Sequence, residues 1–589
     1  MRRYITIASL VLACVAASAQ NLNPTVQVTN DYEGKLMEVD KQNLQMAVPD
    51  SLLKFDWNFN YSVFDNPYKG AYEFTPYRIE MKPEATRRDD GRFYLRAGAG
   101  WTLHPEAQAV FTPATKGRFG ISVYDDFKGY SGLYHNIVAL EQASGPSLVG
   151  PDGDYSGYGF NNRAGATLRY DAPSAVVTLD GGFDLLRTRD KRDSGNSAMG
   201  GSATLRARSI AHDGFLYDIS LGWKGLGNNV TVPQNNPYVV KFTEYDAGLD
   251  AKFVYRIAEK HSLRLEPSWH HVMFNETHGS ATADAVDLAP SYVFADGGFS
   301  VKLGVRYSDV WREADHNVAE YKGNKLFPDV RVYFEAVPDK LVLSAKVTGG
   351  QRFNTYRSYL ESNPHLSYLS SRVYGESLGD ATVNTFDVGA GISGRVRSRF
   401  QYSAEAGYAR YFNAPMDRIG VAYFSSSDYY DDFSVGPYYL PYINMVNYDL
   451  LYATVRGDYV SDRLDAAATL KLQRSDFGQG HEKGLSAMTL PLFSGSAKLV
   501  YNWNKRVFAG LTADWATSRD EHDVYISYEK YIDCHMPGWV DLGVTAEYRL
   551  NSRLSLWAEG RNLLNQTVMR DFLIAEKGRY FTAGICLNF

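Results

Sequence analysis

The chain has 589 residues, 44% hydrophobic and 22% charged, with 51 glycines and 43 tyrosines. That balance excludes a disordered or collagen-like chain, and no long stretch is dominated by helix formers, which favours strands. The formal net charge of −6 gives no concentrated positive surface, so nucleic acid is not an expected partner.

At the N-terminus, Arg2 and Arg3 precede an apolar run from Ile5 to Val15, followed by Ala17, Ser18 and Ala19. This is the order of a secretory signal peptide cleaved after Ala19. A competing reading takes Val11-Leu12-Ala13-Cys14 as a lipoprotein box, but Leu12 is bulky where such boxes take small residues. Residues 1–19 are read as the signal peptide and 20–91 as a periplasmic or lumenal N-terminal segment. Removal of the signal leaves Cys534 and Cys586, one expected in a loop and one near a strand's end, so a disulfide framework is not expected. No apolar run in the mature chain reaches the ~20 residues of a membrane helix.

Within the N-terminal segment, Phe55, Trp57, Phe59, Tyr61 and Val63 alternate with Asp56, Asn58, Asn60 and Ser62, and Phe64-Asp65-Asn66-Pro67-Tyr68 follows. The pattern predicts one strand and an aromatic turn. So aromatic a strand is a sticky edge when uncovered. Phe55, Trp57, Phe59, Tyr61, Phe64 and Tyr68 are therefore expected to dock in a lumen or on a partner rather than trail as a free tail.

From Phe93 onward the period is two. Phe93, Leu95, Ala97, Ala99 and Trp101 share one face, as do Phe299, Val301, Leu303 and Val305, and later Val507, Ala509, Leu511, Ala513 and Trp515. A soluble sandwich also alternates, but its loops have no reason to sort by length. Here short turns at 171–174, 258–261, 337–340, 397–399, 461–463, 503–505 and 551–553 alternate with long segments near 125–159, 225–240, 310–323, 354–381, 412–442, 474–486 and 516–536. Tight periplasmic turns and extended external loops are the asymmetry of outer-membrane barrels. The fold class predicted is all-β: a large antiparallel transmembrane β-barrel of about 22 strands, spanning 92–589. Tyr402, Tyr408, Tyr411, Tyr501, Trp503, Trp515, Trp539 and Tyr548 are expected in its aromatic girdles.

No catalytic, cofactor or metal site is predicted. Gly389 to Gly394 spells a dinucleotide fingerprint but sits in an alternating strand with no following helix. His270 and His271 are neighbours in a strand and point to opposite faces, so they form no joint zinc site. The external stretch 424–442 is the candidate recognition loop, because Tyr429, Tyr430, Tyr438 and Tyr439 with Asp431 and Asp432 suit stacking and hydrogen bonding to a ligand.

The last strand places Phe581, Ala583, Ile585, Leu587 and Phe589 on one face, ending on the terminal Phe. Phe581, Ile585, Leu587 and Phe589 resemble the C-terminal signal that barrel-assembly machinery recognises. Upstream, Trp539-Val540-Asp541-Leu542, Asn562-Leu563-Leu564-Asn565-Gln566 and Gly578-Arg579-Tyr580-Phe581 resemble the closing strands of TonB-dependent receptors. The resemblance implies a 22-stranded barrel, in agreement with the independent count. Near the mature N-terminus, Thr25, Val26, Val28 and Thr29 are similar to a TonB box, an extended segment that pairs with TonB by strand addition. The family's globular plug is not recognisable in residues 20–91.

Two functions remain open at this point. One is a receptor that binds or imports a ligand across the outer membrane, with TonB as partner. The other is a plugless scaffold or accessory subunit of an outer-membrane complex, partnered by a periplasmic or surface lipoprotein. Both place the chain in the outer membrane, in contact with its lipid.

Overall fold

In the computed structural model, residues 92–589 are described apart from 102, 114–116, 141–146, 190–194, 211–213, 233–237, 277–278, 314–320, 363–380, 423–437, 478–486, 489, 528–529 and 571–575. The described residues form 25 strands and one helix, Tyr356–Ser362. Of the strands, 22 close into a ring. Each pairs antiparallel with the next from Phe93–Trp101 to Leu464–Asp476, then on through Phe493–Trp503, Val507–Ala516, Trp539–Arg549, Leu554–Arg561 and Tyr580–Asn588. That final strand returns to the first, with Tyr94 opposite Asn588 and Trp101 opposite Phe581. The three remaining strands, Ala487–Met488, Arg519–Ser527 and Lys530–Met536, stand outside the ring.

Closure leaves the ring itself without an open edge, which is what a bilayer demands of a sheet. The outer face carries the apolar residues. Trp101 is 83% exposed and Phe119 65%, while Leu303, Leu511 and Ile585 are also large, apolar and exposed. In water such a belt would be unstable; in lipid it is solvated. Inward positions are polar or tightly packed: Lys302, Arg306 and Ser308, alternating with outward Leu303, Val305 and Tyr307, are buried. Among the described residues no helix is long and apolar enough to cross a membrane; the chain crosses by strands.

The short turns fall where the sequence places them: Asp171 is followed by a strand from Ala175, and Ala258 by one from His261. The long segments differ. Most of 125–159 belongs to the hairpin of Phe119–Leu140 and Ser147–Asp171, most of 412–442 to Phe400–Ala422 and Tyr438–Val460, and 516–536 holds the hairpin of Arg519–Ser527 and Lys530–Met536. Ladder hydrogen bonds continue beyond the bilayer, where no apolar face is required and alternation in the sequence fades. Cys534 consequently lies in a strand, not a loop; neither it nor Cys586, in the final strand, is in a disulfide.

The rim is uneven. A tilted strand needs ~9–11 residues to span the hydrocarbon. Phe93–Trp101 has 9 and Glu106–Phe111 has 6, against 23 in Phe400–Ala422 and Tyr438–Val460. The wall is lowest where its first and last strands meet.

Candidate functional site

At that low seam the inner face is charged. The Arg96 guanidinium lies 3.9 Å above the Trp557 ring, with its Nη2 3.8 Å from Glu106 and 3.7 Å from Glu559; Glu559 also accepts from Arg561. Cation–π contact and two carboxylates hold the guanidinium against two further strands, Glu106–Phe111 and Leu554–Arg561. Two glycines allow the approach. A Cβ on Gly98 would stand 2.5 Å from Trp557, and one on Gly584 only 1.9 Å from the Ala97 carbonyl oxygen. No side chain fits either position.

Above this, His104 Nδ1 lies 2.9 Å from Thr582 Oγ1, and Lys577 Nζ lies 3.0 Å from His104 Nε2. Burial, reinforced by the Lys577 charge, lowers the His104 pKa to about 3. The ring is therefore neutral: Nε2 accepts from the ammonium and Nδ1–H donates to Thr582. Lys577, over the rings of Tyr130 and Tyr580 at 5.0 and 4.9 Å, is lowered to about 8 by burial.

The motif Asn562 to Gln566 acquires a physical role here. Asn562 and Asn565 have φ of 44° and 51°, a left-handed conformation that asparagine tolerates. Asn562 Nδ2 donates to the Gln566 carbonyl at 2.8 Å, and its Oδ1 accepts from the Gln566 amide at 2.9 Å. Asn565 Oδ1 accepts from the Arg579 amide at 3.0 Å. The two asparagines thus pin the connection that delivers the final strand to the first. Phe581, Ile585 and Phe589 face outward and exposed on that strand, and Leu587 pairs with Leu95.

Other sequence-derived candidates are distributed as follows. Thr25, Val26, Val28 and Thr29, and Phe55, Trp57, Phe59, Tyr61, Phe64 and Tyr68, lie outside the described residues, as do Tyr429, Tyr430, Asp431 and Asp432. Tyr438 and Tyr439 begin the strand Tyr438–Val460, opposite Ala422 and Val421. His270 contacts Asp246 at 3.1 Å and His271 contacts Asp284 at 2.9 Å, on opposite faces as expected. Gly389 to Gly394 lie inside the strand Ala381–Val396. Two girdle assignments fail. Tyr411 is buried inside the barrel, its ring 5.2 Å from that of Tyr448, and Trp539 is buried beneath Arg570, whose guanidinium lies 4.6 Å from its ring. Both sit above the level where lipid sets the pattern, so packing decides their direction.

Sequence reasoning missed the lumenal ion pairs. Lys302 Nζ is 2.6 Å from Asp329, and Lys346 bridges Asp387 at 2.9 Å and Glu405 at 2.6 Å. Their only signal is the polar parity of each strand, which does not name partners.

A closed ring of 22 antiparallel strands with this seam is matched among solved structures. The FrpB iron transporter from Neisseria meningitidis (F3-3 variant) superposes with a TM-score of 0.64 at 11% identity, covering 85% of this chain and 82% of that one. The fold is that of the TonB-dependent receptor barrel. A mutant of the ferric enterobactin receptor PfeA from Pseudomonas aeruginosa gives 0.59 at 12% identity, covering 85% and 80%. FpvAI, in its complex with pyocin S2, gives 0.60 at 12%, covering 85% and 73%. No family model and no curated protein matches the sequence. At such identities it is the receptor-type barrel that is shared, and the correspondence is one of wall architecture.

Proposed function

We propose that the chain is an outer-membrane receptor: an exported barrel whose external loops bind a ligand and whose N-terminal segment couples the barrel to TonB. The observation that carries this reading is the closed 22-strand ring with an apolar outer belt, superposable on transporters and receptors. The signal peptide at 1–19 and the final-strand face of Phe581, Ile585, Leu587 and Phe589 supply export and delivery to the barrel-assembly machinery. The stretch around Thr25, Val26, Val28 and Thr29 supplies the coupling segment, and Tyr429, Tyr430, Asp431, Asp432, Tyr438 and Tyr439 the recognition surface. Residues 55–68 dock in the lumen or on a periplasmic partner. No step in this reading is enzymatic.

Capture of TonB by the full chain, compared with Val26→Pro, tests it. Proline removes a ladder donor, so capture by the wild type that is lost in Val26→Pro supports coupling. No capture by either refutes it.

A second reading, a scaffold subunit that does not transport, is favoured by a loop helix packed against the inner wall. Stoichiometric co-purification of a lipoprotein without TonB capture selects it.

A further inference from the structure

A 22-stranded ring encloses a lumen that such transporters keep plugged. Here the residues that follow the strand Leu341–Phe353, as far as Ser362, turn into the barrel. Pairing of that strand with Tyr321–Val337 stops at Thr348 opposite Asp329, although both strands continue. Register shifts follow in three successive pairs, at Thr348/Gly350, Asn384/Phe386 and Tyr411/Ala414. Bulges of this kind bend a strand and redirect it. Gln351 then donates to the Gly323 carbonyl at 3.0 Å, a side chain replacing the lost ladder. Ala381 and Phe353 pack on Ala285 and Val310 of the nearby strands Gly279–Asp296 and Phe299–Arg312.

The helix Tyr356–Ser362 completes the excursion. Thr355 and Ser358 cap it reciprocally, Ser358 N–H to Thr355 Oγ1 at 3.1 Å and Thr355 N–H to Ser358 Oγ at 3.2 Å. Tyr356, Tyr359 and Leu360 are buried among Ala198, Leu226, Phe242, Val272, Phe274 and Ala283, contributed by five different wall strands. Glu244 accepts the amides of Tyr356 at 2.6 Å and Arg357 at 3.2 Å. Arg357 in turn reaches Asp184 at 2.9 Å and the Gly225 carbonyl at 2.8 Å. Asp184 belongs to the strand Ala175–Arg189, eight strands around the ring from the one that launches the helix. Gly200 is part of the dock, since a Cβ there would lie 2.6 Å from the guanidinium.

We infer that residues 349–362 are a built-in closure of the barrel. This segment, clamped to the inner wall by Glu244, Asp184 and Arg357, restricts passage from the outside independently of the N-terminal segment. Solutes gain passage when the clamp releases. The dock is separate from the seam, where closure of the wall itself is secured.

Single-channel conductance of the full-length protein in planar bilayers tests the inference. Arg357→Ala combined with Glu244→Ala removes the clamp, Gly200→Val crowds the guanidinium, and replacement of residues 355–362 by a Gly–Ser linker removes the helix. Each variant is first shown to retain the heat-modifiable gel mobility of a folded barrel. A several-fold rise in steady conductance over wild type in the linker variant, matched in direction by at least one point variant, is the expected result. Conductance equal to wild type in all folded variants overturns the inference and transfers closure to another part of the chain.

Discussion

His104 Nδ1 and Thr582 Oγ1 lie 2.9 Å apart although 478 residues separate them in the chain. This hydrogen bond, with Lys577 on the other ring nitrogen, joins the start of the barrel to its end at the lowest point of the wall. Thr582→Val leaves a buried imidazole donor unsatisfied, at a cost of about 1–3 kcal/mol. The expected outcome is a lower temperature for loss of the folded gel band, with unchanged outward packing of Phe581.

Acid sensitivity should follow from the same histidine. Its folded pKa of about 3 lies below the ordinary value of 6.5, so the unfolded chain binds a proton that the folded one does not. The stability it contributes is full above pH 6.5 and falls as the pH drops toward 3. His104→Gln is expected to flatten the dependence of unfolding on pH across that window, as read by tryptophan fluorescence in urea. A slope equal to wild type would refute this account.

Glycine at the seam is required by space. Gly584→Ala places a Cβ 1.9 Å from the Ala97 carbonyl oxygen, where only movement of backbone relieves the clash. Failure of the barrel to reach its folded, membrane-inserted form is expected. Ala583→Val, one residue away and facing lipid, should assemble normally, which separates closure from general sensitivity of the last strand.

The buried pair of Lys302 and Asp329, at 2.6 Å, makes an opposite kind of prediction. Lys302→Met leaves Asp329 with only the more distant Arg331 guanidinium, at 3.5 Å, and should lower stability. Adding Asp329→Leu should recover most of that loss. Urea midpoints in lipid vesicles give the comparison, and a double variant no better than the single one would remove the pair as the cause.

Direction in the wall can be checked on one pair of neighbouring strands. Leu511, exposed on the outer face, is expected to cost about 2–4 kcal/mol when changed to Arg near the bilayer midplane. Ser496→Arg, on the lumenal face opposite Asp514, should be nearly neutral by the same urea measurement.

Much of the container was legible in the sequence. The outward set Phe93, Leu95, Ala97, Ala99 and Trp101 is fixed by the requirement that a lipid-facing strand be apolar at every second residue, and the tight turns by the need to reverse direction in a few residues. The same rule explains why Phe581, Ile585 and Phe589 were found. The final-strand resemblance also located Asn562 and Asn565, but only their positive φ angles and their bonds to Gln566 and Arg579 explain why asparagine stands there. Where lipid no longer dictates the pattern, the reading weakened. The protruding hairpins read as loops, and the pattern places Tyr411 and Trp539 in girdles though both are packed away.

The sequence by itself therefore determined the class of wall, its approximate strand number and the direction of each lipid-facing side chain, because those follow from a local two-residue period against a uniform solvent. Tertiary structure alone decided which inward charges meet, where the ring is low, and that the helix Tyr356–Ser362 packs on the inner wall. Those relationships join residues such as Asp184 and Arg357, 173 positions apart. No local pattern encodes a contact whose geometry exists only once 22 strands have closed.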